Sequence, residues 1–244
     1  GNVSAGTSIF AMVVLENDLR KVHPELDMVA TPDGLPVAMV HSNNGASEWD
    51  LWVGVFADLL ASAGADISTP ELYDLAYAKA LEGASDGGGL VAYNFLSGEP
   101  IAGIDHGRPL FFRTPDSSLT LSNFMRTQLM SIFGVLRLGM DILVEDEGIR
   151  VDRLLAHGGL FKTPLVAQTL MAGALKIPVE VQTTAGEGGP WGMALLALYA
   201  KKYAAEMTLP QFLDAEVFAD LESTSVTPDP QDVAGFDKFL QRYR

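Results

Sequence analysis

The strongest chemical signal in this 244-residue sequence is a pair of glycine turns, each set between an aliphatic run and a helical pattern. Residues 151–156 and 179–182 have the composition of short buried strands. The first leads through Gly158-Gly159 and the second through Gly186-Glu187-Gly188-Gly189 into stretches with helical spacing. In an open α/β sheet such strand-to-helix turns are where ligands bind, because the first N–H groups of a helix have no partner inside it. Glycine there lets a nucleotide or phosphate approach the main chain with no Cβ in the way. Thr163-Pro164 then supplies a cap and a first helical residue for a helix over 165–175. One such turn is what any strand-to-helix connection needs, but two on consecutive units shift the balance toward a site for a nucleotide or phosphate.

A further candidate lies near the start of the chain. Two apolar runs flank a small-residue turn at 5–8, the pattern of a β-hairpin. Its tip, Gly6-Thr7-Ser8, can offer N–H and O–H donors to a phosphate oxygen, or can be an ordinary turn. Gly45-Ala46-Ser47 opens a helix over 46–60 in which Trp49, Trp52, Val53, Phe56 and Leu60 share one face. The two tryptophans are assigned to packing.

The elements that must position these turns follow from the same patterning. Residues 36–42 and 90–95 read as strands. Ser68-Thr69-Pro70-Glu71 is a capping box opening a helix through Leu81. Residues 82–89 read as a flexible surface loop, and residues 120–142 as a long core helix with Leu121, Phe124, Leu129, Phe133, Leu136 and Met140 on a broad apolar stripe. A short helix is expected around 209–218. Residues 222–229 read as an acidic linker, after which Asp229-Pro230 caps a terminal helix packed on the surface.

Composition narrows the function. Hydrophobic residues at 48% and charged residues at 19% describe a globular chain. Thirty-one acids against sixteen bases give a net charge of −15, which argues against nucleic acid or an anionic membrane as partner. There is no cysteine for disulfides or thiol chemistry. With neither a leader pattern nor an uncharged apolar run of ~18 residues, a cytoplasmic enzyme is expected. His23, His41, His106 and His157 lack zinc-site spacing, no G-x-S-x-G elbow occurs, and neither glycine turn carries a dinucleotide fingerprint.

The run LLAHGGLFKTPLVAQTLMAGALKIPVEV followed by GEGGPWGMALLA resembles the C-terminal, ATP-binding lobe of the FGGY carbohydrate kinases, which phosphorylate sugars such as xylulose, ribulose and glycerol. SAGTSIFAMVV is similar to the hairpin that opens that lobe, whose threonine lies by the β and γ phosphates, and Gly45-Ala46-Ser47 to the stretch lining the adenosine pocket. The stretch LSGEP at 96–100 resembles the family's Y-L-x-G-E-R-x-P segment over the cleft between lobes, with PIAGIDHGRP where arginine and proline are usual. Glu99 there reads as a solvated loop acid or a cleft residue, with His106 and Arg108 as further cleft candidates. Phe112-Arg113 stands near the family's G-L motif, and Met130 where an acid is common.

The resemblance implies an actin-like ATPase (ribonuclease H-like) lobe of α/β class, with a mixed sheet, an N-terminal hairpin and flanking helices. Residues 1–222 would be the ATP-binding lobe and 223–244 the linker and terminal helix. Gly6, Thr7, Ser8, Gly45, Ser47, Gly158, Gly159 and Thr163 would bind ATP, accompanied by Mg²⁺, and no metal ligand is assigned in the chain. The sugar, expected to be a ketopentose such as ribulose or xylulose, would bind an N-terminal lobe that also carries the general-base aspartate. The lobe alone is therefore expected to phosphorylate nothing, and a homodimer stays open. Two other readings stand beside this one: a non-catalytic nucleotide-binding or assembly module of the same fold, and a dinucleotide-dependent oxidoreductase, disfavoured by the missing fingerprint.

Overall fold

The computed structural model describes residues 1–183 and 188–244. Strand β1 (Asn2–Ala5) and strand β2 (Ile9–Val14) form the expected antiparallel hairpin around a tip at residues 6–8. Alternation decides its faces: Val3, Ala5, Ile9, Ala11 and Val13 are buried, while Phe10 and Met12 are partly covered on the other side. Strand β3 (Leu26–Ala30) and strand β4 (Pro36–Ser42) extend the sheet beyond β2, each pair antiparallel. The expected strand at 36–42 is found, whereas β3 was not anticipated.

Helix α1 (Ser47–Ser62) buries Trp49 and Val53, and Trp49 stacks on Tyr77 of helix α2 (Thr69–Glu82). The capping box at Ser68 is formed, with Ser68 Oγ accepting from Glu71 N and the Glu71 carboxylate accepting from Ser68 N. The following loop is not free. Asn123 Oδ1 accepts from Ala84 N at 2.8 Å, Gly88 O accepts from Ser118 N at 2.8 Å, and Arg242 bonds Asp86. Strand β5 (Val91–Tyr93) is shorter than expected and pairs with strand β6 (Leu110–Phe112) in a separate two-stranded sheet.

Helix α3 (Leu121–Asp141) is capped by Thr120 and buried on nearly every face, packing against β2, β4 and α2. Leu121, expected on the core stripe, is instead exposed at the first turn. With its continuation to Asp146, α3 is the one described helix long and apolar enough to cross a membrane, and it forms the centre of the core.

Strand β7 (Leu154–Gly158) begins three residues later than the aliphatic run predicts and pairs parallel to β1. Helix α4 (Val166–Leu175) returns the chain to strand β8 (Val179–Gln182), parallel to β7, and helix α5 (Gly188–Leu198) follows. Of the second glycine turn, Gly186 and Glu187 lie outside the described residues. Helix α6 (Leu209–Phe212) covers only the start of the short helix expected there, the chain continuing in a wider turn to Val217.

The stretch expected as a linker is corrected. Strand β9 (Ser223–Val226) pairs antiparallel with β8, completing the order β3-β4-β2-β1-β7-β8-β9. The outer edge of β8 has N–H and C=O groups to satisfy, and Gln168 of α4 fastens the new strand by donating to Thr224 O at 2.8 Å. Helix α7 (Pro230–Tyr243), capped by Asp229, then buries Phe236, Phe239, Leu240 and Tyr243 in the main core.

Candidate nucleotide site

Parallel pairing of β1 with β7 places Ala5 opposite Gly158, so the hairpin tip and the Gly158-Gly159 turn emerge side by side from one end of the sheet. The tip is fastened from its other side. Gly45 N and Ala46 N donate to Thr7 O and Gly6 O at 2.7 and 2.9 Å, seating it on the first residues of α1. Ala46, the residue before that helix, offers no side-chain cap, so the first-turn N–H groups of α1 have no side-chain partner at this edge.

These elements enclose a cleft of about 500 Å³. Five of the eight residues expected to bind ATP line it: Gly6, Thr7, Ser47, Gly159 and Thr163. Gly159 is the most open, since a Cβ built there would meet nothing within 4 Å among the described residues. The other three stand behind the wall. Ser8 Oγ donates to Asn43 O at 3.3 Å. Gly45 is buried and a Cβ there would collide with the Gly6 carbonyl oxygen, while one at Gly158, at φ 109°, would collide with the Ala5 carbonyl oxygen, so neither has room for a side chain.

Thr163 is not the cap expected for α4. Its hydroxyl donates to Asp74 Oδ1 at 3.0 Å, tying the loop after β7 to α2. The residue that precedes α4 is Leu165, in the left-handed region at φ 69° and without a capping bond.

The far wall was not anticipated as part of the site. Pro70, Tyr73, Asp74 and Tyr77 of α2 follow one another at helical spacing on a single face, and Asp50 of α1 and Lys162 are also in the lining. The spacing was legible, but the apolar stripe of α2 gives no hint that this neighbouring face meets the glycine turn. Tyr73 donates its hydroxyl to Asp50 Oδ1 at 2.8 Å. Burial, then that carboxylate, pushes the Tyr73 phenol up to about 12, and burial holds Tyr77 higher still. Both phenols are therefore neutral hydrogen-bond donors at physiological pH. The wall offers flat aromatic and proline surface beside two carboxylates, and the opposite side offers bare main chain and a threonine hydroxyl.

Glu99 is neither solvated nor in this cleft. It is fully buried, accepting from Ser42 and Asn44. His106 and Arg108 stand exposed outside the cleft, on the loop leading to β6. Among the described residues no group of three or more His, Asp or Glu side chains is arranged to hold a metal ion. Asp50 and Asp74 each have one oxygen engaged by a hydroxyl, so an ion reaching this cleft would depend largely on oxygens brought by its ligand.

The family model for the C-terminal domain of the FGGY family of carbohydrate kinases matches residues 1–201. A search of curated protein sequences gave no match. Among solved structures the chain is similar to the xylulose kinase from Rhodospirillum rubrum, with 20% identity and a TM-score of 0.70, over 99% of this chain and 45% of that one. It is also similar to the gluconate kinase from Lactobacillus acidophilus, with 18% identity and a TM-score of 0.74, again over 99% and 45%. The Plasmodium falciparum glycerol kinase with ADP gives 17% identity and a TM-score of 0.65 over 99% and 46%. The chain thus spans a little under half the length of these relatives and shares the actin-like ATPase fold of their family. With the family model matching residues 1–201, most of its length, the chain belongs to the FGGY carbohydrate kinases as their C-terminal domain.

Proposed function

We propose that this chain is the ATP-binding half of a carbohydrate kinase that transfers the γ-phosphoryl group of ATP to a sugar hydroxyl. FGGY kinases use ATP as phosphate donor. The observation that carries the reading is the Ala5–Gly158 register, which sets an exposed Gly-Thr tip and an unobstructed Gly159 on the same cleft. In this reading Gly159 and the α2 wall receive the nucleoside, and Thr7 with the main chain at Gly6 faces the phosphates. The α1 N-terminus, beginning at Ser47, adds a favourable dipole for negative charge.

Phosphoryl transfer asks a protein mainly for positioning and charge neutralisation, so a rigid cradle of this kind is what one lobe can contribute. Mg²⁺ bound with ATP would supply charge neutralisation on the phosphate oxygens, and no residue here is assigned to it. The acceptor sugar and the base that deprotonates it are assigned to the part of the relatives' length beyond this chain. A ketopentose, ribulose or xylulose, is our choice of acceptor, supported by xylulose kinases among the structural relatives; gluconate and glycerol kinases share the fold.

Two measurements test the reading. Calorimetric titration of this chain with Mg-ATP and with NAD should give heat of binding for the first alone. Turnover by the polypeptide joined to its N-terminal lobe, on a panel of ribulose, xylulose, gluconate and glycerol, should be fastest with a pentulose. NAD binding in place of ATP, or no turnover of any polyol, overturns it.

A further inference from the structure

The side chain of Glu99 is completely inaccessible, and among the described residues no Lys or Arg pairs with it. Its Oε2 accepts from Ser42 Oγ at 2.8 Å and from Asn44 Nδ2 at 3.0 Å, while Oε1 has no partner among the described residues. A buried acid with half its acceptors unmet is costly, so packing does not account for it. What it does is hold a loop. Asn44 Oδ1 accepts from Ser97 N at 2.9 Å, Asn43 Nδ2 donates to Gly98 O at 2.9 Å, and Asn94 Nδ2 donates to Asn44 O and Gly45 O at 2.8 and 3.0 Å. The next two amides, Gly45 and Ala46, are those that seat the hairpin tip through Thr7 O and Gly6 O. Because Gly45 has no spare room against the Gly6 carbonyl, any displacement of this loop passes directly to the tip.

We propose that Glu99 is a positioning residue for the nucleotide site: through Ser42 and Asn44 its carboxylate fixes the 42–46 loop, and through Gly45 and Ala46 that loop fixes Gly6-Thr7. The inference rests on the nucleotide reading above. A purely structural acid would lower the melting temperature when replaced and leave the tip of the folded molecule as it was.

The test compares the wild-type chain with Glu99→Gln and Glu99→Ala in two readouts. One is amide exchange in segments 6–8 and 42–46 without nucleotide, referenced to the amides of α3. The other is Mg-ATP affinity per folded molecule. Glu99→Ala should accelerate exchange in both segments by about tenfold and weaken Mg-ATP by about tenfold, while α3 stays protected. Glu99→Gln keeps an oxygen that can accept from both donors and should stay within about threefold of wild type. If Glu99→Ala does not fold, Ser42→Ala replaces it, removing one donor with little change in volume and shifting both readouts the same way by a smaller factor. Wild-type exchange in a folded Glu99→Ala or Ser42→Ala protein overturns the latch, and faster exchange with unchanged affinity overturns the positioning role. Accelerated exchange in a protein whose wild type binds no Mg-ATP supports the latch and overturns the nucleotide reading instead.

Discussion

Ala5 and Gly158 are register partners on adjacent parallel strands, and the Ala5 carbonyl oxygen occupies the space that a side chain at Gly158 would need. The contact explains why two glycines stand here in succession with different duties. Gly158, at φ 109°, lets β7 close against β1; Gly159 presents open main chain to the cleft.

Gly158→Ala should therefore be a folding defect. A Cβ at positive φ is strained, and here it also meets a backbone carbonyl that cannot swing aside, so a loss of about 2–4 kcal/mol is expected. Chemical denaturation checks this. A loss below about 0.5 kcal/mol would mean that the β1-β7 contact is looser than described.

Thr7→Val should separate chemistry from stability. Thr7 is exposed at the tip, and valine keeps its shape and strand preference while deleting the hydroxyl. Stability should change by less than about 0.5 kcal/mol, and in the proposed kinase phosphoryl transfer should fall about tenfold or more. Unchanged kinetics would make Gly6-Thr7-Ser8 an ordinary turn.

Acid should release the loop that follows β2. Glu147 accepts from the His23 ring at 2.6 Å, and also from the main-chain N–H and the guanidinium of Arg20. These bonds, His23 first, hold its carboxyl at about 2 against an ordinary 4.5. A carboxylate with a depressed value contributes stability that is fully present above about pH 4.5 and disappears as pH falls toward 2. The melting temperature of wild type should drop through that window, and Glu147→Gln should show a flatter profile there. Parallel profiles would remove Glu147 from the acid response.

Much of this architecture was legible because local signals and tertiary structure agree. The strands at Pro36–Ser42 and Val179–Gln182 are aliphatic runs that follow proline or a Pro-containing turn, and the Ser68 capping box announces α2 unaided. The edge strands were not legible. Ser223 to Val226 has little apolar character of its own and becomes a strand because β8 offers an unpaired edge and Gln168 grips Thr224. Glu99 failed as a loop acid for a related reason: its partners Ser42 and Asn44 lie 57 and 55 residues away, and no local pattern marks them. In the cleft, Gly6 and Gly159 were visible because backbone approach demands glycine. Asp50, Tyr73 and Asp74 were not, since only the packing of α1 and α2 brings their faces to the end of the sheet.

If the nucleotide lies against bare main chain at Gly159, titration of Mg-ATP into wild type and Gly159→Val will show it. Among the described residues nothing lies within 4 Å of a Cβ there, so the variant should fold with a melting temperature within a few degrees of wild type. The branched side chain would then project into the space assigned to the nucleoside, and affinity should fall about tenfold or more. A folded Gly159→Val protein that binds Mg-ATP as tightly as wild type would contradict the site.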